Sequence, residues 1–182
     1  MLLGIKMTRF DKAFDYLMVN EGGYSNDPLD HGGSTNYGIT QASLERFNAL
    51  HNEGLPDKVA DLNKEQAKVI YKTSWWHPGF DSIRDERIAI KIFDHHVNMD
   101  DGSMPSRAVR LAQMALNTAP HPDEPLLVTD GCLGPKTIID INSSSTPWFM
   151  LEYKKQLAFF YRSLNQPHFL KGWMNRVERE PK

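Results

Sequence analysis

A chain of 182 residues with 40% hydrophobic and 24% charged residues has enough apolar material for one domain, or two small lobes sharing a core. Its formal charge of −2 gives no general attraction to nucleic acid or to anionic membranes, and its one cysteine, Cys132, excludes an internal disulfide. Met1 to Met7 has one lysine and too short an apolar run for a signal peptide. No segment approaches the roughly 20 apolar residues of a membrane span, so stable membrane insertion is not expected.

Thr8 is placed to cap a first helix, with Asp11 at its third position. Phe10, Phe14 and Leu17 recur at spacings of four and three, one face of that helix, and Glu21 falls four residues later on the same face. Gly22 and Gly23 follow where a helix would stop. A carboxyl group at the end of an apolar stripe is expected to hold its proton more tightly than usual, the property of a general acid. The segment that follows is crowded with turn formers: Asn26, Asp27, Pro28, Asp30, Gly32, Gly33 and Gly38. It reads as a tight β-hairpin carrying Asp30, Thr35, Asn36 and Tyr37. A second carboxylate beyond the helical one suits two-carboxylate sugar hydrolysis.

Thr40 caps a second helix reaching about His51, with Leu44 and Phe47 on its apolar side and Leu50 a candidate to extend it. Asn63 with Gln66 forms a capping box that opens a third, bearing Ala67, Ile70 and Tyr71. Trp75-Trp76-His77-Pro78-Gly79-Phe80 then ends the first lobe, and at least one of the two tryptophans is expected in the core. A fourth helix runs from Asp85 to about Met99 with Ile88, Ile92, Phe93 and Val97 spaced for burial. Asp94 and Asn98 share one face of it. They are expected either to pair as a buried tie between lobes or to line a sugar cleft. Ser103 or Pro105 opens the next helix, carrying Val109, Ala112 and Leu116. Thr118 to Thr129 is a loop, and Asp130 to Pro135 a turn into a short helix. Ser143 to Thr146 is a polar linker. Pro147 opens a long helix with Phe149, Leu157, Phe160, Tyr161 and Leu164, and a last helix spans Phe169 to Arg179. Strand signals are confined to the hairpin, so the fold is expected to be mainly α.

Metal and thiol chemistry are weakly supported. His95 and His96 are adjacent, so on a helix they point about 100° apart and share a metal poorly. No His-Glu-x-x-His occurs, and Cys132 has no base near it in sequence. The basic residues Lys171, Arg176, Arg179 and Lys182 alternate with Glu178 and Glu180, which reads as a solvated helix face or, alternatively, as contact with an anionic wall polymer or outer-membrane lipid.

The run Glu21-Gly22-Gly23-Tyr24, followed by Asp30-His31-Gly32-Gly33-Ser34-Thr35-Asn36-Tyr37-Gly38-Ile39-Thr40, resembles the signature of glycoside hydrolase family 108. These are N-acetylmuramidases of phage endolysins and of secretion activator proteins. The later chain resembles that family's peptidoglycan-binding region through Phe93-Asp94, Val97-Asn98, Gln113 to Asn117, Asp130-Gly131, Leu133-Gly134-Pro135, Thr137 and Gly172-Trp173. The resemblance implies a mainly α, lysozyme-like fold of two lobes with a small β-hairpin at the active site. It divides the chain into a catalytic lobe, 1–84, and a helical peptidoglycan-binding lobe, 85–182. It implies Glu21 as catalytic acid, Asp30 as second carboxylate with Asp27 as the nearby alternative, and Thr35 as their polar partner. Tyr24, Asn36, Tyr37, Asp94 and Asn98 are the expected sugar contacts.

The implied reaction is hydrolysis of the β-1,4 bond between N-acetylmuramic acid and N-acetylglucosamine. No metal or organic cofactor is required, the partner is peptidoglycan, and a monomer is expected. Synthesis in the bacterial cytoplasm with holin-type delivery to the wall follows from the same resemblance. The rival readings are a lytic transglycosylase using Glu21 alone and a non-catalytic wall-binding or secretion-assisting protein.

Overall fold

The computed structural model describes residues 7–19, 34–119 and 125–182. Among them the chain is mainly helical, with a single two-stranded antiparallel sheet, as a lysozyme-like fold requires. It divides into two compact units, 14–74 and 1–13 with 75–182. Residues 7–13 therefore group with the later helices, and the cut falls at Ser74–Trp75, ten residues before the 84/85 division expected from sequence. No described helix is long and apolar enough to cross a membrane.

In the unit 14–74 the second half of α1 (Arg9–Met18) supplies Phe14 and Leu17. Strands β1 (Thr35–Asn36) and β2 (Ile39–Thr40) pair in the register Thr35 with Thr40 and Asn36 with Ile39. Thr40 leaves the sheet to cap α2 (Gln41–Leu50), its side-chain oxygen accepting from the Ser43 N–H. A 3₁₀ turn at Val59–Asp61 precedes α3 (Lys64–Ser74), which opens on the expected capping box. The Asn63 N–H donates to Gln66 Oε1 at 3.0 Å, and the Gln66 N–H donates to Asn63 Oδ1 at 2.9 Å. Phe14, Leu17, Ile39, Leu44, Phe47, Ile70 and Tyr71 form the core. Ile39 comes from β2; the others sit at helical spacings on three helices, so each helix buries one stripe and solvates the other. Leu50, expected at the end of the apolar side of α2, is exposed in its last turn.

The other unit begins with Thr8 and Asp11, which cap the start of α1 reciprocally: Thr8 N–H and Oγ1–H donate to Asp11 Oδ2, and the Asp11 N–H donates to Thr8 Oγ1. Phe10 meets Trp76 edge to face at 5.3 Å, and Trp76 packs on Phe80 and Phe93 at 5.1 and 5.2 Å. Trp76 is thus the core tryptophan of the tandem pair. Phe80 lies on the short α4 (Gly79–Ser82) and Phe93 on α5 (Glu86–Met99). Asp85 caps α5 and also binds Arg87 and Thr146. The hydrogen bond from Arg87 is the chief cause that brings its carboxyl down to about 2.

Helix α6 (Arg107–Leu116) is capped by Ser106, later than the Ser103 or Pro105 expected. The reason is Asp100, the residue that ends α5. Its carboxylate accepts from His96, from the Ser106 hydroxyl and from the Arg107 N–H, so the end of α5 binds the start of α6. Burial pushes the Asp100 carboxyl up, but these donors outweigh it and hold it below the usual range. Helices α7 (Pro135–Ser143), α8 (Thr146–Ser163) and α9 (Pro167–Glu178) complete the unit. Each begins with proline in its first turn, where the missing N–H costs nothing. Helix α8 packs on α6 and α9. The fully buried Ala108, Ala112 and Ala115 of α6 leave room for Phe149, Tyr153 and Leu157 of α8, and Tyr153 Oη donates to the Ala108 carbonyl at 3.2 Å.

Candidate active site

Glu21, Tyr24, Asp27 and Asp30 lie outside the described residues. The described parts of the expected site are its two ends: α1 before it and the hairpin after it. The stripe that was expected to lead to Glu21 is real, since Phe10, Phe14 and Leu17 are all buried.

The hairpin is built from a two-residue loop. Tyr37 and Gly38 have φ of 52° and 76°. Positive φ at both central positions matches the right-handed twist of the flanking strands. Gly38 accepts this without strain, but a side chain at Tyr37 makes the left-handed conformation cost about 1–2 kcal/mol. The surroundings hold it there. Tyr71 Oη, from α3, donates to the Tyr37 carbonyl at 3.0 Å. One residue earlier, Asn36 Nδ2 donates to the carbonyls of Val59 and Leu62, both at 3.0 Å. Gln41 completes the clamp: its Oε1 accepts from the Val59 N–H at 2.8 Å, and its Nε2 donates to the Asp57 carbonyl at 2.7 Å.

This geometry separates the expected site residues. Thr35 and Tyr37 are half-buried and keep accessible surface. Asn36, expected as a sugar contact, is buried with both amide hydrogens spent on backbone carbonyls. Its work is to fix the hairpin against the 3₁₀ turn. Sequence marks Asn36 as polar in a turn-rich run, but its partners are 23 and 26 residues away, and local pattern does not reveal them.

The pair expected at Asp94 and Asn98 does not form. Asp94 is fully buried, with Arg176 Nε and Nη2 on its two oxygens at 3.0 and 3.1 Å and Arg179 Nη2 at 3.6 Å. It therefore lines no open cleft; two guanidinium groups from the C-terminal end of the chain neutralise it. The same contacts correct the reading of the terminal basic run as a solvated face, since Arg176 is buried and Arg179 turns toward Asp94. Beside them Lys91 is also fully buried, and its Nζ donates to the carbonyls of Arg176, Val177 and Arg179. An ammonium at the last carbonyls of a helix suits the negative end of its dipole. Burial pushes the Lys91 ammonium down to about 8. Asn98 is exposed and accepts from Tyr161 Oη at 2.6 Å. Tyr161 Oη in turn contacts His95 Nδ1 at 3.0 Å, and burial holds His95 neutral.

The residues that carry the C-terminal resemblance are bonded inward. Gln113, buried on α6, is their hub. Its Oε1 accepts from the Gly131 N–H at 2.8 Å, while its Nε2 reaches Asp130 Oδ1 at 2.8 Å and the Cys132 carbonyl and Thr137 Oγ1 at 3.1 Å. Asn117 grips the backbone of Leu127 on both sides, donating to its carbonyl and accepting from its N–H at 2.8 Å each. Gly131 has φ of 79°, and a Cβ there would lie 2.7 Å from the Ser106 carbonyl oxygen. Leu133 is buried, and Pro135 starts α7. The motif from Asp130 to Thr137 therefore builds a turn and docks it on α6. Gln113 was legible as part of a pattern, but not as the residue that binds the turn.

Among the described residues no cluster of three or more His, Cys, Asp or Glu side chains is arranged to hold a metal ion.

Comparison with known proteins gives three findings. Residues 14–100 match the family model of Glycosyl hydrolase 108. No curated protein matches the chain. Among solved structures, SagA of Brucella abortus is similar, with 27% identity, a TM-score of 0.72, and coverage of 93% of this chain and 90% of that one. From Phe14 to Asp100 the chain thus carries the pattern of Glycosyl hydrolase 108, in a mainly helical fold similar to that of SagA.

Proposed function

We propose that the protein is a peptidoglycan hydrolase that acts as an N-acetylmuramidase. The observation that carries this reading is that the Glycosyl hydrolase 108 match, residues 14–100, spans Glu21 to Thr40 and the elements that hold the hairpin. In this reading Glu21 protonates the glycosidic oxygen as the bond to the leaving sugar breaks. Asp30 activates water on the opposite face of the ring or stabilises the oxocarbenium-like sugar, and Thr35 helps hold that water. Tyr24 and Tyr37 contact sugar. Asn36 positions the hairpin rather than the substrate.

The region 85–182 contributes affinity for the wall polymer without taking part in bond cleavage. The protein works as a monomer and reaches the wall through a holin-type pore, as a phage endolysin does. Two carboxylates with contrasting surroundings give a bell-shaped pH profile, its acidic limb set mostly by Asp30 and its alkaline limb mostly by Glu21.

The test is clearance of purified peptidoglycan by wild type and by Glu21→Gln, with a thermal melt of each. General-acid catalysis contributes about 10²–10⁴-fold, and a loss of that order is expected with little change in the melt. Near-wild-type lysis by a folded variant would remove Glu21 from the mechanism.

A further inference from the structure

In the unit 75–182, the end of α6, the extended segment after Pro125 and helix α7 enclose a cleft of about 360 Å³, walled on one side by Trp148 at the start of α8. Its floor is aliphatic: Leu116, Leu127 and Ile139. Ile139 is 61% exposed, an aliphatic side chain open to solvent inside a concave site. The clamp of Asn117 on Leu127 makes one wall rigid.

The polar groups at the rim decide what such a cleft can hold. Asn117 has an amide hydrogen and its carbonyl committed to Leu127. The hydroxyls of Ser143 and Ser144 donate back to their own helix, to the carbonyls of Ile139 and Ile141, at 2.8 Å each. The charged pair remains: Lys136 and Asp140, one helical turn apart at 3.3 Å, both reachable by solvent. A sugar ring needs several well-placed donors and acceptors for its hydroxyls, and this rim does not offer them. An indole, three aliphatic side chains and one pair of opposite charges suit a ligand with small apolar side chains and charged ends.

We propose that this cleft binds the peptide stem of peptidoglycan, with alanine methyl groups against Leu127, Ile139 and Trp148, a stem carboxylate on Lys136 and a stem amine on Asp140. The identity of the peptide rests on the peptidoglycan reading above. The cleft shares Lys136 with the segment Asp130 to Thr137, but none of the groups there that bind Gln113 and hold α7 to α6.

Stem peptides released from purified peptidoglycan by an amidase contain no glycosidic bond, so their binding does not depend on Glu21. Calorimetric titration of the full chain with these peptides, and separately with glycan strands stripped of peptide, tests the assignment. Lys136→Glu and Ile139→Arg alter exposed side chains, and Lys171→Glu on α9 serves as a charge control; melts verify that each variant is folded. The expected result is saturable binding of the peptides, weakened about fivefold or more by Lys136→Glu through loss of one ion pair and gain of a repulsion. Ile139→Arg should weaken it further and Lys171→Glu should leave it unchanged. Peptides that do not bind, peptide binding that both cleft variants leave intact, or stripped glycan whose binding Ile139→Arg abolishes would each overturn the proposal. Failure of the muramidase reading would appear separately, as absence of lysis by a protein that still binds stem peptides.

Discussion

Replacing Gln113 with leucine removes the hub of the Asp130–Thr137 turn while keeping similar volume. The consequences follow from the partners. The Gly131 N–H loses its acceptor in a buried position, which costs about 1–3 kcal/mol. Asp130 Oδ1 retains the Cys132 N–H at 2.8 Å, and the Cys132 carbonyl retains the Thr137 hydroxyl at 3.3 Å, so these groups are weakened rather than orphaned. Each lost bond of that kind is worth about 0.5–1.5 kcal/mol, and the added apolar contact of leucine offsets part of the sum. A net loss of about 2–4 kcal/mol is expected. At about 2–4 °C per kcal/mol for a chain of this size, Tm falls by roughly 5–15 °C. Gly131→Ala tests the same turn from its other side: a left-handed φ and a Cβ 2.7 Å from the Ser106 carbonyl oxygen should cost a similar amount. The assay is thermal unfolding followed by circular dichroism. Both variants should lose stability, and the double variant should lose less than the sum, because either change alone already frees the turn. A Tm shift below about 2 °C for Gln113→Leu would refute the claim that this residue holds the turn to α6.

Two further outcomes are expected. Tyr71→Phe removes the donor to the Tyr37 carbonyl, at about 1 kcal/mol in stability, and loosens a hairpin that is strained at that residue; lysis should fall by more than the modest change in the melt would suggest, and unchanged lysis would separate the hairpin from the chemistry. Lys91 has its ammonium pushed down by burial to about 8 from 10.5, so between these values the unfolded chain binds more protons than the folded one. Its contribution to stability therefore rises with pH through that window, and Lys91→Met should flatten the rise in melts recorded from pH 7 to pH 10.5; an unchanged slope would show that Lys91 is not the group responsible.

What the sequence made legible was what neighbouring residues decide. The caps at Thr8, Thr40 and Asn63 work as read, because donor and acceptor lie three residues apart. The stripe of Phe10, Phe14 and Leu17 is buried because helical spacing alone puts those side chains on one face. The hairpin at Thr35 to Thr40 was legible from its turn formers. What stayed hidden was the choice of distant partners. Asp94 was expected either to pair with Asn98, four residues on, or to line a sugar cleft, yet it pairs with Arg176, 82 residues away. The terminal arginines were read as solvated because charge pattern says nothing of a buried carboxylate elsewhere in the chain. Asn36 was read as a sugar contact and the Asp130–Thr137 motif as a turn in a peptidoglycan-binding region; the Asn36 amide and the turn's bonds to Gln113 serve instead to hold backbone. A polar residue in a motif looks the same in sequence whether it serves a ligand or a turn; only the location of its partners distinguishes the two. Glu21 and Asp30 themselves lie outside the described residues, so their roles rest on the motif and on the two described elements that flank it.

The most direct measurement is mass analysis of the products released from purified peptidoglycan by the wild-type protein, with Glu21→Gln as the companion digest. The account predicts disaccharide-peptide fragments ending in reducing N-acetylmuramic acid from the wild type, and almost none from Glu21→Gln. Fragments ending in anhydro-muramic acid, or an untouched polymer in the wild-type digest, would contradict it.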